Sequence, residues 1–147
     1  MNSPYFNDIK RIAIVAYADT RKDLIEWSYA NKNILNNHII ISTARTASIL
    51  EGTLNMPVVN LHHGKAGGYQ QIKDMLEEDK LDIILFFGNP NKAAVKDSWF
   101  EELINTAINK DIVVAYNQAT INMLLTSIAI SNNDIKDQPD YEKFRAV

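Results

Sequence analysis

Five short apolar runs, each followed by a stretch of helical character, constrain this chain more than any other feature. They are Arg11 to Tyr17, His38 to Ser42, Pro57 to Leu61, Leu81 to Phe87 and Asp111 to Tyr116. The first (Arg-Ile-Ala-Ile-Val-Ala-Tyr) and the fourth (Leu-Asp-Ile-Ile-Leu-Phe-Phe) are nearly continuous and rich in β-branched and aromatic residues. That is the pattern of a strand covered on both faces. Leu24, Ile25, Trp27 and Ser28 fall at helical spacing and predict a helix to about Asn31. Thr43 leads into a second helix, expected to end with Gly52 as its C′ residue. Three more helices follow: one ending near Asp79, one from about Asp97 to Asn109 with Trp99, Leu103, Ile104 and Ala107 inward, and one over Asn117 to Ile130. Strands alternating with helices need right-handed crossovers. The expected fold is therefore α/β, a single-domain three-layer sandwich with a mostly parallel five-stranded sheet and helices on both faces.

Composition narrows the function. At 147 residues the whole chain reads as one domain, with residues 1–9 and 131–147 as peripheral arms. Apolar residues at 46% and charged residues at 22% are a globular balance, which excludes a disordered chain. A net charge of −3 leaves no basic footprint, so no nucleic-acid partner is expected. The absence of cysteine removes disulfides, thiolate nucleophiles and cysteine metal sites. Met1 to Lys10 carries no apolar signal core, and no run approaches the ~20 residues of a membrane helix. A cytoplasmic protein without a membrane partner is expected.

In an open parallel sheet, ligands gather beyond the carboxyl ends of the strands. The loops there read Tyr17-Ala18-Asp19-Thr20-Arg21, Thr43-Ala44-Arg45-Thr46, His62 to Gly68, Gly88 to Asn91 and Asn117 to Thr120. Leu61 to Gln71 holds two of the chain's 3 histidines and three of its 5 glycines. A strand running through a glycine loop into a helix offers backbone N–H groups to an anion. The first three loops also bring Arg21, Arg45, Thr43, Thr46, His63 and Lys65, a cationic and donor-rich set suited to phosphate or carboxylate. Each residue alone could be a solvent-facing cation or a helix cap; the shared rim favours a pocket. No metal is expected, because the adjacent His62 and His63 point opposite ways on extended backbone and no third ligand stands at spacing. No Gly-x-Gly-x-x-Gly follows the first strand, and no Gly-x-Ser-x-Gly elbow occurs. No cofactor is expected.

The ordered segments Ile-Ala-Ile-Val-Ala, Ser-Thr-Ala-Arg-Thr-Ala, Gly-Lys-Ala-Gly-Gly-Tyr-Gln-Gln, Leu-Asp-Ile-Ile-Leu-Phe-Phe-Gly-Asn-Pro and Asn-Gln-Ala-Thr resemble methylglyoxal synthase. The resemblance runs from about Lys10 to Phe144, including Pro139-Asp140-Tyr141 in the tail. It implies a homohexamer, without metal or cofactor, in which an aspartate base deprotonates dihydroxyacetone phosphate and phosphate is eliminated to give methylglyoxal. The family's phosphate-gripping positions fall on Arg21, Thr43, Arg45, Thr46, His63 and Gly64. Arg45 stands where that family has threonine, and His63 where it has serine. The catalytic positions depart further. Tyr69 replaces the aspartate of Gly-Gly-Asp-Gln-Gln, Tyr17-Ala18 replaces a His-Asp pair, and Asn89 replaces an aspartate. Lys96-Asp97-Ser98-Trp99 stands for His-Asp-Pro-Asp. A phenol with a pKa of about 10 is no substitute for a carboxylate base of about 4. Asp97, Asp19 and His63 remain as candidate bases.

Two functions stay open at this point. One is binding of a phosphorylated metabolite or nucleotide, with Tyr17, Tyr69, Asn89 and Trp99 touching the rest of the ligand. Methylglyoxal-synthase-like effector domains, such as the one ending the large subunit of carbamoyl phosphate synthetase, bind nucleotides in this way. The other is a divergent methylglyoxal synthase, a lyase acting on dihydroxyacetone phosphate.

Overall fold

β1 (Arg11–Ala16) occupies the middle of the sheet, and the chain winds outward from it in both directions. The structure, a computed structural model, describes residues 9–88 and 98–132. After β1 come α1 (Arg21–Ala30), α2 (Lys32–Leu35), β2 (Ile39–Thr43), α3 (Ala44–Leu54), β3 (Val59–Leu61) and α4 (Gly68–Glu77). β4 (Ile83–Phe87), α5 (Ser98–Asn109), β5 (Val113–Ala115) and α6 (Gln118–Asn132) complete the order, with 3-10 turns at Ala18–Thr20 and Gly64–Ala66. The strand order is β3-β2-β1-β4-β5. Every pairing is parallel.

Alternate residues of the strands feed two cores. Ile12, Ile14, Ile40, Ile83, Leu85 and Phe87 pack with Leu24, Trp27, Leu50, Leu54, Ile121 and Leu125 of α1, α3 and α6. Ala13, Val15, Ile41, Ile84 and Phe86 face the other way, onto Ile72, Leu76, Leu103 and Ala107 of α4 and α5. Burial on both faces is what a strand without polar alternation requires. The result is the expected three-layer sandwich. The edge strands are shorter than the apolar runs suggested, Val59–Leu61 instead of Pro57 to Leu61 and Val113–Ala115 instead of Asp111 to Tyr116. Each pairs on one side only, and Val59 and Val113 are exposed.

Two local expectations are corrected. The helix after Thr43 does not stop at Gly52; it continues to Leu54, and Asn55 takes the left-handed turn at φ 52°. Leu54 is fully buried. Burying a leucine gains roughly 1.5–3 kcal/mol, more than the ~0.5–1 kcal/mol a helical glycine costs. The short helix α2 was not foreseen, and Ile25, grouped with the inward residues of α1, faces outward at 38% exposure. Among the sequence candidates, Asn89 and Asp97 lie outside the described residues, as does the tail from residue 133.

His38, buried at the amino edge of the sheet, accepts the Lys10 backbone N–H at Nδ1 (2.9 Å). Burial first, and the Lys10 charge second, lower its pKa from the ordinary value. A base with a depressed folded-state pKa contributes stability that is full above the unfolded value of about 6.5 and is lost as pH falls below it. Denaturant midpoints should therefore drop between pH 7.5 and 5.5. His38→Asn, which keeps an acceptor for Lys10 without a titrating ring, should flatten part of that drop. An unchanged pH slope in the variant would refute the assignment.

Candidate anion site

Strand register sets the rim. Ala16 is level with Phe87, Ile14 with Ser42 and Thr43 with Leu61. The residues that follow each strand consequently emerge side by side. The Tyr17 N–H donates to the Phe87 carbonyl (3.0 Å), and the Ala44 N–H donates to that of His62 (3.4 Å).

The glycine loop is tied back onto this rim. Gln71 accepts the His62 N–H at its side-chain oxygen (2.8 Å), and the His63 carbonyl accepts from Ala66 (3.0 Å) and Gly68 (2.9 Å). Gly67 takes φ 123°, a conformation that side chains disfavour. A Cβ on Gly68 would collide with the His62 carbonyl and the Thr43 methyl. A Cβ on Gly64 would collide with the ring of Tyr69, which lies against it. The loop sequence is thus explained by close backbone approach and by one aromatic ring.

Between these elements is a cavity of about 270 Å³, lined by Ala16, Tyr17, Arg21, Leu24, Thr43, Arg45, Thr46, Ile49, His63, Gly64 and Tyr69. All six residues expected to grip an anion, together with Tyr17 and Tyr69, meet here. Arg21 opens α1, and Arg45 and Thr46 stand in the first turn of α3. Neither helix has a side-chain cap: Thr20 and Thr43 hold the N-cap positions without capping bonds. The Thr20 hydroxyl instead donates to the Tyr17 carbonyl (2.6 Å). Uncapped first-turn N–H groups carry partial positive charge that an anion can satisfy. Among the described residues, Arg21 and Arg45 form no ion pair, and neither they nor the His63 imidazole form a side-chain hydrogen bond. Among the described residues, no aspartate or glutamate lines the cavity.

The remaining candidates lie elsewhere. Asp19 lines a second cavity of about 490 Å³ with Asp23, Phe87, Tyr116, Asn117 and Gln118, on the β4–β5 side of the rim. Trp99 does not line the first cavity; its ring is 6.0 Å from that of Tyr69. Lys65 is exposed and does not line the cavity. Among the described residues no group of three or more His, Cys, Asp or Glu could hold a metal ion, and no helix is long and apolar enough to cross a membrane. The apolar floor, Ala16, Leu24 and Ile49, was missed. Helical spacing carried the signal, because Leu24 follows Arg21 by three residues and Ile49 follows Arg45 by four, so each pair shares a helix face.

Residues 23–116 match the family model of the MGS-like domain. The chain is 34% identical to a methylglyoxal synthase of Coxiella burnetii over 137 residues, covering 93% of this chain and 96% of that one. It is likewise 34% identical to a methylglyoxal synthase of Proteus mirabilis over 135 residues, 92% and 89% of the two chains. Among solved structures, the crystal structure of methylglyoxal synthase from Elizabethkingia anophelis NUHP1 superposes with a TM-score of 0.76 at 28% identity. That match covers 95% of this chain and 91% of the other.

Proposed function

This chain belongs to the MGS-like domain family, alongside methylglyoxal synthases, and we propose that it binds a phosphorylated small molecule without the family's catalysis. One observation carries this reading: a cavity into which two arginines, a histidine and two threonines converge, and which, among the described residues, no carboxylate lines. Arg21 and Arg45 would hold the phosphoryl oxygens by charge-assisted hydrogen bonds. Thr43, Thr46, His63 and the first-turn N–H groups of α3 would complete the grip. A volume of about 270 Å³ suits a phosphate on a short carbon chain. A larger ligand, such as a nucleotide, would extend past Tyr17 and Tyr69 towards Trp99.

Proton abstraction beside the phosphate needs a base within hydrogen-bond reach, with a pKa near the working pH. Tyr69, at the position where the resemblance places the family's aspartate, carries a phenol and no carboxylate. Its ring fills the space against Gly64. Asp19 opens into the other cavity.

The relatives favour a second reading at least as strongly. Identity of 34% over nearly the whole chain is compatible with a divergent methylglyoxal synthase, with Asp97 or His63 as a relocated base. Both readings share the anion site and an assembly into homo-oligomers, hexamers by the resemblance, in the cytoplasm.

Thermal denaturation tests the shared part. At a hundredfold excess over Kd, a phosphate monoester should stabilise the fold by about 2.7 kcal/mol, or roughly 5–10 °C for a chain of this length. Glycerol phosphate and dihydroxyacetone phosphate are the probes, with sodium chloride at matched ionic strength as control. A melting temperature indifferent to both would remove the anion site.

A further inference from the structure

We infer that His63 makes anion binding at this site proton-linked, so that the cavity takes up a proton together with a phosphate dianion. The inference rests on the anion-binding function proposed above and goes beyond it.

Three cationic or protonatable groups line one small cavity from three separate elements. Arg21 comes from the start of α1, Arg45 from the first turn of α3, and His63 from the loop after β3. Among the described residues, the other titratable groups facing that space are phenols, Tyr17 after β1 and Tyr69 on α4. On the loop itself, His62 and Lys65 are exposed and do not line the cavity. The His63 carbonyl is engaged by Ala66 and Gly68, which anchors the residue at the cavity wall. Its imidazole forms no hydrogen bond with any described residue, so both ring nitrogens remain available to a ligand.

A histidine ordinarily titrates near 6.5, so at pH 7.5 most imidazoles are neutral. A phosphate monoester, with a second pKa of about 6, is then a dianion. Two negative charges placed against an imidazole favour its charged form. With no carboxylate among the described residues on the wall to share that proton, His63 is the group that acquires it. As imidazolium it donates to a phosphoryl oxygen, adding a third cation to the two guanidiniums. The site then selects a terminal dianionic phosphate over a singly charged diester, which draws the proton less strongly.

Titration calorimetry with glycerol phosphate at pH 7.5, run in two buffers of different ionisation enthalpy, counts the protons directly. The wild type should take up a sizeable fraction of one proton per site. Its Kd should weaken by up to tenfold between pH 7 and pH 8, the limit for one linked proton. His63→Ser should bind with no proton uptake and a flat Kd over that interval, with affinity approaching the wild type's at pH 8. Circular dichroism spectra checked against wild type confirm that the variant is folded. Proton uptake equal in both proteins, or absent from both while binding persists, overturns the role of His63 and leaves the anion site standing. No binding heat and no thermal shift at any pH overturns both.

Discussion

Replacing Arg21 and Arg45 together with alanine should weaken phosphate-monoester binding by about 10²–10⁴, since each hydrogen bond to a charged group contributes roughly 1.5–3 kcal/mol. The single variants should each lose about 10–100-fold by the same scale. Because both arginines would grip one phosphate, their effects should not simply add. Stability should be almost untouched. Both side chains are exposed and lack ion-pair partners among the described residues, and such surface changes usually fall within about 0.5 kcal/mol. Calorimetry on the three variants, beside their melting temperatures without ligand, separates binding from folding. A double variant that binds as tightly as wild type would place the anion elsewhere.

The second large effect concerns turnover. Incubated with dihydroxyacetone phosphate, the chain should form methylglyoxal at least ~10²–10⁴-fold more slowly than the Coxiella burnetii relative assayed alongside it, the usual contribution of a general base. Binding of the same compound should persist, so the loss appears in kcat and not in affinity. Asp97→Asn and His63→Gln test the two candidate bases for any residual activity. Turnover comparable to the relative's, and abolished by either substitution, would establish the divergent synthase and end the binding-only reading. Restoring a carboxylate by Tyr69→Asp should not by itself recover full activity, because Tyr17, Ala18 and Trp99 also depart from the pattern the resemblance implies.

Much of the cavity's lining was legible in the chain because two kinds of local information coincide there. Apolar runs mark where strands end, and parallel topology brings those ends to one rim. Arg21, Thr43, Arg45, Thr46, His63 and Gly64 could be grouped from order and spacing alone, and all of them line one cavity. The apolar floor was harder to see. Leu24 and Ile49 read as ordinary core residues, and only their helix face relative to Arg21 and Arg45 brings them into the cavity lining. Gly52 misled for a related reason. Its local preference to end a helix was overridden by Leu54, whose burial depends on packing that no neighbouring residue announces.

The parallel sheet, the cationic residues of the rim and the phenol at position 69 could be read from the chain alone, because strand period, helix period and residue identity are properties of short segments. Which way each rim residue turns is set by packing between distant parts of the chain. Asp19 stands two residues from Arg21, yet the 3-10 turn at Ala18–Thr20 sends it to the β4–β5 side, while Arg21 faces the anion cavity. Tyr69 likewise became informative through contact, its ring against Gly64 and beside Trp99. Such facing depends on strand register and on packing between residues distant in sequence, and no local pattern encodes it.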